Sequence, residues 1–354
     1  MPVRILIAAG GTVGHVAPAL AVAGELRARG AEVAFAGTPG RIEAELVPAA
    51  GYPFHPFDVS GLPRRPGVAL VRAAGRAARA PFQCSAIIGD VRPQAVFGAG
   101  GYVAGPMLVA ARRHRLPAAL SEADARIGLA NRLAAPLVDR VFLAFPIAGR
   151  EPPKHLVTGR PVDPAFGAAS RGDARARLGM TDDERVVVAF GGSLGSAAIN
   201  EALRGAYAEG VPPGRRVVLV TGRGKLGAAP PDRFEEVEFT RELPDLLAAA
   251  DLVVARSGGS VFEVAAARRA AILVPWSGAA DDHQTLNAAP FAAAGAATVI
   301  ADAQLTPLRL REAIDRVLDD PARRESMAAA MAGLARPDAA RAMADELLRL
   351  AATR

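Results

Sequence analysis

The residues best suited to chemistry lie between Ala255 and Asn287, directly after the apolar run 252–254. The first half reads A-R-S-G-G-S-V-F-E and the second D-D-H-Q-T-L-N-A, with A-I-L-V-P-W between them. Glycines let the backbone approach a ligand, and the N–H groups that begin the next helix favour an anion. Glu263 can accept hydrogen bonds from vicinal hydroxyls such as those of a ribose, and the polar run 281–284 can bind a sugar. Either half alone is equally typical of a capped helix, but together they predict a nucleotide-sugar site.

Two more glycine turns follow buried-looking strands. Residues 3–9 lead into G-G-T-V-G-H at 10–15, and residues 185–190 lead into G-G-S-L-G-S at 191–196. A strand, glycine turn, helix and strand in this order form a right-handed βαβ unit with a parallel sheet. The tandem series predicts an α/β fold of two Rossmann-like domains that face a cleft. The predicted divisions are 1–158, a hinge at 159–164 that carries a glycine and prolines, and 165–337.

The composition is compatible with this organisation. At 354 residues the chain exceeds the size of a single core, and 51% hydrophobic with 22% charged residues is a globular balance. No run of about 18 apolar residues predicts a membrane span, and the N-terminus reads as a first strand, with no signal peptide. The single cysteine, Cys84, excludes an intramolecular disulfide and fits a reducing cytoplasm. A net charge of +6 admits nucleic acid, anionic lipid or a phosphorylated substrate, but 5% aromatic residues without a basic-aromatic stripe argue against nucleic acid.

These motifs resemble those of the MurG family of glycosyltransferases. G-G-T-V-G-H is similar to the family's G-G-T-G-G-H, G-G-S-L-G-S to G-G-S-Q-G-A, and R-S-G-G-S-V-F-E to the longer R-A-G-A-S-T-I-A-E. The resemblance runs from Gly10 to about Asn287 in family order. It implies a GT-B type, inverting hexosyltransferase that moves N-acetylglucosamine from UDP-N-acetylglucosamine to the C4 hydroxyl of the muramyl sugar of lipid I, giving lipid II for peptidoglycan. It also implies a last helix, 338–354, that returns to the first domain.

The resemblance assigns roles to individual residues. It implies that the catalytic residues are His15, Glu122 and Asp124. The residues implied to bind the acceptor diphosphate are Gly11, Thr12, Gly14, Gly101 and Tyr102. Those implied to bind UDP-N-acetylglucosamine are Thr12, Gly14, Asp124, Arg160, Ser193, Thr240, Ser260, Glu263, His283 and Gln284. No metal site or cofactor is expected, and a divalent ion is optional at most. From its position alone, His15 is a general base, a hydrogen-bond donor or a simple cap, and Tyr102 either binds the acceptor or packs against a helix.

Several positions depart from the family pattern. Val13 replaces a glycine, which is costly if φ must be positive and tolerable if the residue is already helical. Ser121-Glu122-Ala123-Asp124 stands where the family reads H-E-Q-N, and Asp124 adds a negative charge beside a diphosphate. At the hinge, Arg160 replaces asparagine and Asp163 replaces arginine. A transferase with another acceptor, a UDP-N-acetylglucosamine 2-epimerase and a non-catalytic UDP-sugar sensor or scaffold all remain open.

Residues 64–82 form a further candidate surface. Arg72, Arg76 and Arg79 recur at helical spacing, with Leu70, Val71 and Phe82 nearby. Such a helix could rest on anionic lipid at the inner face of the cytoplasmic membrane, each basic residue contributing about 1 kcal/mol. A solvated basic face is the alternative, and the polyprenyl acceptor implied by the resemblance favours peripheral membrane binding.

Overall fold

The computed structural model describes residues 2–61, 67–228 and 231–353, and it divides into two compact units. The first unit comprises Met1–Val162 and Asp338–Arg354, and the second unit comprises Asp163–Pro337. The first boundary falls within the predicted hinge segment 159–164. The chain therefore passes from one unit to the other twice.

Both units are built on parallel sheets. The strands of the first unit are β1 Arg4–Ala9, β2 Glu32–Gly37, β3 Phe54–Pro56, β4 Ala95–Gly100, β5 Ala118–Glu122, β6 Arg140–Leu143 and β7 His155–Val157. Those of the second unit are β8 Arg185–Phe190, β9 Arg215–Val220, β10 Phe234–Val237, β11 Leu252–Ala255, β12 Ala270–Leu273 and β13 Ala297–Val299. In the described ranges the strand orders are β3-β2-β1-β4-β5-β6-β7 and β10-β9-β8-β11-β12-β13. The prediction of two Rossmann-like α/β domains is confirmed.

Helices connect the strands of each sheet. Those before the first boundary are α1 Val13–Ala28, α2 Ile42–Ala49, α3 Val68–Val91, α4 Ala104–Arg113 and α5 Leu129–Ala134, which runs into a 3₁₀ turn at Ala135–Leu137. Those of the second unit are α6 Ala165–Ala168, α7 Arg171–Arg177, α8 Ala197–Ala206, α9 Leu243–Ala249, α10 Val261–Ala266, α11 His283–Ala293, α12 Pro307–Leu318 and α13 Pro321–Leu334, with 3₁₀ turns at Ala280–Asp282 and Asp302–Gln304. The last helix, α14 Ala339–Ala351, lies in the first unit.

The first unit buries both faces of its sheet, which is why β1 and β4 are almost wholly apolar. Helices α1 and α14 pack together over one face, and α3 and α4 cover the other. Cys84 of α3 is a free, buried thiol, and burial raises its pKa to about 12. A thiol with that pKa is almost entirely protonated and unreactive at neutral pH.

The second unit is held at the start of its central strands by a buried ion pair. Arg175 donates to Asp251 at 2.8 Å, and the same carboxylate accepts from the Val186 N–H at 2.8 Å. Arg171 binds the other carboxylate oxygen, also at 2.8 Å. Because Asp251 precedes β11 and Val186 lies in β8, these contacts fix the register of the two strands that carry the glycine motifs.

The amphipathic segment predicted at 64–82 corresponds to α3, which begins at Val68 and continues to Val91. Residues 62–66 lie outside the described residues. On α3, Ala73, Ala80 and Cys84 are buried, whereas Arg72, Arg76 and Arg79 are exposed. Within the described part of the chain, no helix combines the length and apolar character needed to cross a bilayer.

Candidate active site

The first glycine loop joins β1 to α1 at the carboxyl edge of the first sheet. Gly11 has φ +94°, a conformation that favours glycine, and the Tyr102 ring lies over it so closely that a Cβ there would be 3.2 Å from Cε1. Thr12 is the N-cap and Val13 is already the first helical residue. Valine is therefore tolerated at position 13, which answers the question raised by the family's glycine.

A buried carboxylate lies beneath this loop. Glu43, in the first turn of α2, has no exposed surface and accepts hydrogen bonds from the N–H groups of Gly11 and Thr38, both at 3.1 Å. A Cβ at Gly10 would lie 2.3 Å from Glu43 Oε1, and one at Gly37 would lie 2.8 Å from its Cγ. The Gly11 N–H, which was predicted to bind the acceptor diphosphate, thus donates to Glu43 instead. In the described ranges the N–H groups of Thr12 and Val13 donate to no protein acceptor, so they are the groups left for an anion.

The His15 imidazole packs against the second glycine loop. Gly100 has φ +121°, and a Cβ there would lie 2.5 Å from Nδ1 of His15. Burial, and then the positive charge of Arg160, lower the pKa of His15 to about 4, while the negative charges of Asp124 and Glu43 act in the opposite direction. His15 is therefore neutral at physiological pH and can accept a proton.

Arg160 and Tyr102 complete the surroundings of His15. The guanidinium of Arg160 donates to the Gly14 carbonyl oxygen in the first turn of α1. Gly101 has φ +75°, and a Cβ there would lie 2.3 Å from the Gly10 carbonyl oxygen. The Tyr102 hydroxyl lies 3.4 Å from Thr38 Oγ1, so its ring covers the first loop while its hydroxyl is positioned by the end of β2.

Glu122 occupies the end of β5 with its carboxylate turned inward. It accepts from the N–H groups of Asp124 at 3.1 Å and Gly128 at 2.9 Å and from Asn131 Nδ2 at 2.9 Å. Burial raises the pKa of the Glu122 carboxyl, although these three hydrogen bonds act in the opposite direction. These contacts hold the segment 123–128, and they favour a positioning role for Glu122, with Asp124 facing His15 electrostatically.

The glycine loop of the second unit joins β8 to α8. A Cβ at Gly191 would lie 2.2 Å from the Ser196 nitrogen, and Gly195, with φ +66°, approaches the Thr221 carbonyl oxygen, which a Cβ would meet at 1.9 Å. Ser196 caps α8 by accepting from the Ile199 N–H at 3.3 Å. In the described ranges the N–H groups of residues 192–194 donate to no protein acceptor, and Ser193 is exposed among them. This is an open anion site.

A further loop of the second unit, at 221–225, packs on the glycine loop at 191–196. Gly222 has φ +88°, and a Cβ there would lie 2.7 Å from the Leu194 carbonyl oxygen. Lys225 Nζ donates to that oxygen at 2.7 Å. Arg223 lies over the Phe239 ring, 5.4 Å from its centroid, and next to it Thr240 accepts from the Glu242 N–H at 2.9 Å.

Arg256, the arginine of R-S-G-G, joins several strand ends. It is buried and donates to Ser196 Oγ at 3.0 Å, to the Val274 carbonyl oxygen at 3.1 Å and to Asp302 Oδ1 at 2.6 Å. Burial alone would raise the pKa of Asp302, but hydrogen bonds from Arg256 and Ser277 and the charge of Arg256 hold that pKa below its ordinary value. Arg256 therefore supports the glycine loop from behind as part of a neutralised pair.

The two halves of the C-terminal motif meet in the structure. Ser257 Oγ donates to the Gln284 carbonyl oxygen at 2.7 Å, and Asn287 Nδ2 donates to the Ser257 carbonyl oxygen at 3.1 Å. The side-chain oxygen of Gln284 accepts from the Trp276 N–H at 3.0 Å, which leaves its amide nitrogen as the group that can meet a sugar. His283 opens α11 beside it.

Ser260 and Glu263 begin α10 in this same region. Ser260 is the N-cap, Glu263 lies in the first turn, and both are partly exposed at the carboxyl end of β11. The structure thus places Ser193, Ser260, Glu263, His283 and Gln284 after the neighbouring strands β8, β11 and β12, whereas Thr240 follows β10, near the edge of the sheet. The roles assigned to them remain predictions.

Sequence reasoning missed Glu43, Arg256 as a support, and Lys225. Each acts on a glycine loop from another segment of the chain: Glu43 is 32 residues from Gly11, and Lys225 is 31 residues from Leu194. No spacing rule connects them. The available signals were an acidic first turn after β2 and, in a chain that holds two lysines among its 42 Lys and Arg residues, a lysine placed after a glycine turn.

Comparison with known proteins identifies the class. Residues 5–143 match the N-terminal domain of glycosyltransferase family 28, and residues 186–343 match its C-terminal domain. The fold and the two glycine loops are therefore those of a glycosyltransferase.

Full-length relatives narrow the class to one family. A protein from Pseudomonas putida is 40% identical to this chain, and one from Paenarthrobacter aurescens is 36% identical. Each alignment covers 98% of this chain, and 98% and 96% of the two relatives respectively. Both relatives are named UDP-N-acetylglucosamine--N-acetylmuramyl-(pentapeptide) pyrophosphoryl-undecaprenol N-acetylglucosamine transferase. The crystal structure of Acinetobacter baumannii MurG is similar, with a TM-score of 0.78, 29% identity, and coverage of 98% of this chain and 100% of that one. The chain belongs to the MurG family of hexosyltransferases.

Proposed function

We propose that this protein transfers N-acetylglucosamine from UDP-N-acetylglucosamine to the C4 hydroxyl of the muramyl sugar of lipid I, forming lipid II with inversion at the anomeric carbon. One observation carries the proposal. Each unit presents a glycine loop with open N–H groups at the carboxyl edge of its sheet, as a reaction between two diphosphate-bearing substrates requires. Family membership identifies which substrates these are.

The second unit binds the donor. The open N–H groups of residues 192–194 and the Ser193 hydroxyl hold the diphosphate of UDP, Glu263 accepts from the ribose hydroxyls, and Gln284 with His283 binds the N-acetylglucosamine. Thr240 follows β10 and Ser260 follows β11, both at the carboxyl edge of the second sheet, and they contact the nucleotide. Support comes from their common position at the ends of β8, β10 and β11. Thr12, Gly14, Asp124 and Arg160, of the first unit, are further proposed contacts to the donor.

The first unit binds the acceptor and removes its proton. The N–H groups of Thr12 and Val13 and the loop around Gly101 and Tyr102 hold the acceptor diphosphate. His15, neutral because its pKa is lowered to about 4, takes the proton of the C4 hydroxyl as the new bond forms. The nearby carboxylates of Asp124 and Glu43 stabilise the imidazolium that results.

Most of the rate acceleration in this scheme comes from positioning and from fixed dipoles at the leaving diphosphate. The donor is already activated, since UDP is a stable leaving group, so the reaction uses no cofactor and a divalent ion is optional. Among the described residues, no group of three or more His, Cys, Asp or Glu side chains is arranged to hold a metal.

Helix α3 binds the inner face of the cytoplasmic membrane in this proposal. Its outer face exposes Val68, Val71 and Phe82, which are 68%, 72% and 67% exposed, beside the exposed Arg72 and Arg79. Large apolar side chains flanked by arginines are typical of a helix that lies in the headgroup region of anionic lipid.

Vesicle sedimentation tests the membrane surface. Replacement of Val71 and Phe82 by serine should abolish binding to vesicles that contain phosphatidylglycerol, while vesicles of phosphatidylcholine alone bind neither protein. Leu308→Ser is the matched control, because Leu308 of α12 is 70% exposed in the second unit and should not matter. Equal binding by all variants would contradict the assignment of α3.

The reaction is tested by UDP release from UDP-N-acetylglucosamine, with and without a short-chain lipid I analogue. Release that depends on the analogue, together with a disaccharide product, is the expected result. UDP binding without turnover on this analogue would contradict the assignment of lipid I as acceptor. It would indicate that Asp124 and its neighbours, where the chain departs from the family pattern, serve another acceptor.

A further inference from the structure

Lys225 is one of two lysines in the chain, the other being Lys154. Its ammonium group donates to the Leu194 carbonyl oxygen at 2.7 Å, on the glycine loop of the second unit. No carboxylate of the described residues lies within ion-pair distance of it. Two other cations near this loop are paired with carboxylates, Arg256 with Asp302 at 2.6 Å and Arg204 with Glu236 at 2.7 Å, and Arg223 lies over the Phe239 ring.

The two loops that hold Lys225 in place are interlocked through their glycines. Gly195 approaches the Thr221 carbonyl oxygen and Gly222 approaches the Leu194 carbonyl oxygen so closely that neither position can carry a Cβ. The 221–225 loop is also tied to β10, because the Gly224 N–H donates to Glu238 Oε1 at 2.7 Å. The backbone of Lys225 is therefore held in place beside the glycine loop at 191–196. Its flexible four-carbon side chain lets the ammonium group move between acceptors on that loop.

The ammonium lies close to open N–H groups that can bind a leaving diphosphate. The carbonyl that it binds belongs to Leu194, and the N–H groups of Ser193 and Leu194 are open. Consecutive Cα atoms are about 3.8 Å apart, so the cation and the open N–H groups lie within about two peptide lengths of each other. A phosphate oxygen is a charged acceptor and forms a stronger hydrogen bond with an ammonium than a neutral carbonyl does.

We propose that Lys225 exchanges the Leu194 carbonyl for the diphosphate of the donor and neutralises the charge that develops on it. In the step concerned, the bond from the anomeric carbon to the β-phosphate oxygen breaks and its electron pair leaves on that oxygen. A new bond forms from the anomeric carbon to the acceptor C4 oxygen, whose proton passes to the general base. Lys225 donates a hydrogen bond to the leaving group and transfers no proton.

This inference rests on the proposed function, and binding measurements separate the two. Lys225→Gln should raise the Kd for UDP about tenfold and leave the Kd for uridine unchanged, because uridine has no phosphate. It should lower kcat about 10²- to 10³-fold, as expected when one donor to a developing anion is removed. Lys225→Arg should restore most of kcat, and Lys154→Gln, in the first unit, should match the unsubstituted protein.

Amine-selective acylation, mapped by mass spectrometry, provides a second readout on the unsubstituted protein. UDP should protect Lys225 and not Lys154, and uridine should protect neither. Unchanged UDP affinity in Lys225→Gln, or equal loss of UDP and uridine affinity, would overturn the role of Lys225 alone. Failure of the unsubstituted protein to bind UDP would overturn the proposed function, and the role of Lys225 with it.

Discussion

The two glycine loops look alike in sequence, G-G-T-V-G-H and G-G-S-L-G-S, but they use their glycines differently. In the first unit the missing Cβ atoms of three glycines make room for side chains: Glu43 lies under Gly10, Tyr102 over Gly11 and His15 against Gly100. In the second unit they let backbone meet backbone, as Gly195 does at Thr221. The first loop is therefore shaped around side chains that can do acid-base chemistry and the second around backbone contacts, while both leave N–H groups that can bind an anion.

Alanine at one closely packed glycine in each unit, Gly195 in the second loop and Gly101 in the 98–106 loop that packs on Gly10, should test this division with the largest effects. Gly195→Ala adds a Cβ 1.9 Å from the Thr221 carbonyl oxygen at φ +66°, and Gly101→Ala adds one 2.3 Å from the Gly10 carbonyl oxygen at φ +75°. Left-handed strain and overpacking together cost about 3 kcal/mol, or roughly 100-fold. Calorimetry should show UDP binding lost in Gly195→Ala and kept in Gly101→Ala, and assays should show transfer lost in both.

Gly24→Ala is the control for these substitutions. Gly24 lies within α1, and a Cβ there meets nothing within 4 Å. It should leave UDP binding and transfer intact and stabilise the protein by roughly 0.5–1 kcal/mol. Loss of UDP binding in Gly101→Ala would contradict the separation of the two loops.

Substitution of one polar residue in each unit tests the same division more gently. His15→Ala should lower kcat about 10²- to 10³-fold, as the loss of a general base does, and should leave the Kd for UDP unchanged. Glu263→Ala should raise that Kd at least about tenfold, because a charged hydrogen-bond acceptor for the ribose is lost. Equal losses of UDP affinity in the two variants would contradict the comparison.

Glu43→Gln tests whether a buried carboxylate shapes the first loop. The amide cannot accept from the N–H groups of both Gly11 and Thr38 with the strength of a carboxylate, and an unsatisfied buried donor costs about 1–3 kcal/mol. We expect kcat/KM for the acceptor to fall about tenfold at a temperature well below unfolding, with UDP affinity unchanged. Glu45→Gln, on the exposed side of α2, should behave as the unsubstituted protein, and a similar fall there would rule out a specific role for Glu43.

Arg160→Gln should change the pH dependence of the reaction, in addition to any loss of the donor contact proposed for Arg160. Burial and the charge of Arg160 lower the pKa of His15 to about 4, so a reaction that needs neutral His15 loses activity as pH falls through that value. Removal of the positive charge raises the pKa of His15. The acid limb of the kcat/KM profile should therefore move to higher pH, whether or not the maximum value of kcat/KM also changes. An unmoved or lower limb would show that Arg160 does not act on His15.

The fold could be predicted because its determinants are local. Val-rich runs at 185–190 and 252–254 can be little other than buried strands, and the structure places β8 at Arg185–Phe190 and β11 at Leu252–Ala255. The sequence alone did not determine whether Val13 is helical. The structure shows that it is, because α1 begins at Val13.

The supports of the site could not be predicted in the same way. Glu122 was assigned to catalysis by resemblance, yet its carboxylate is engaged by three neighbouring donors. Glu43 reads as an ordinary residue in a helical first turn until the sheet brings the end of β2 beside β1. Such contacts depend on which strands are adjacent, and one sequence does not specify that.

Helix α14 has a consequence for how the protein is made. Residues 338–353 leave the ribosome only after the whole second unit, yet Met343, Leu347 and Leu350 belong to the buried core over α1. The first unit is thus the first to be synthesised and the last to be completed. A nascent chain that stops short of α14 leaves α1 uncovered beside the first glycine loop, so the first unit cannot be completed before the second unit has been translated.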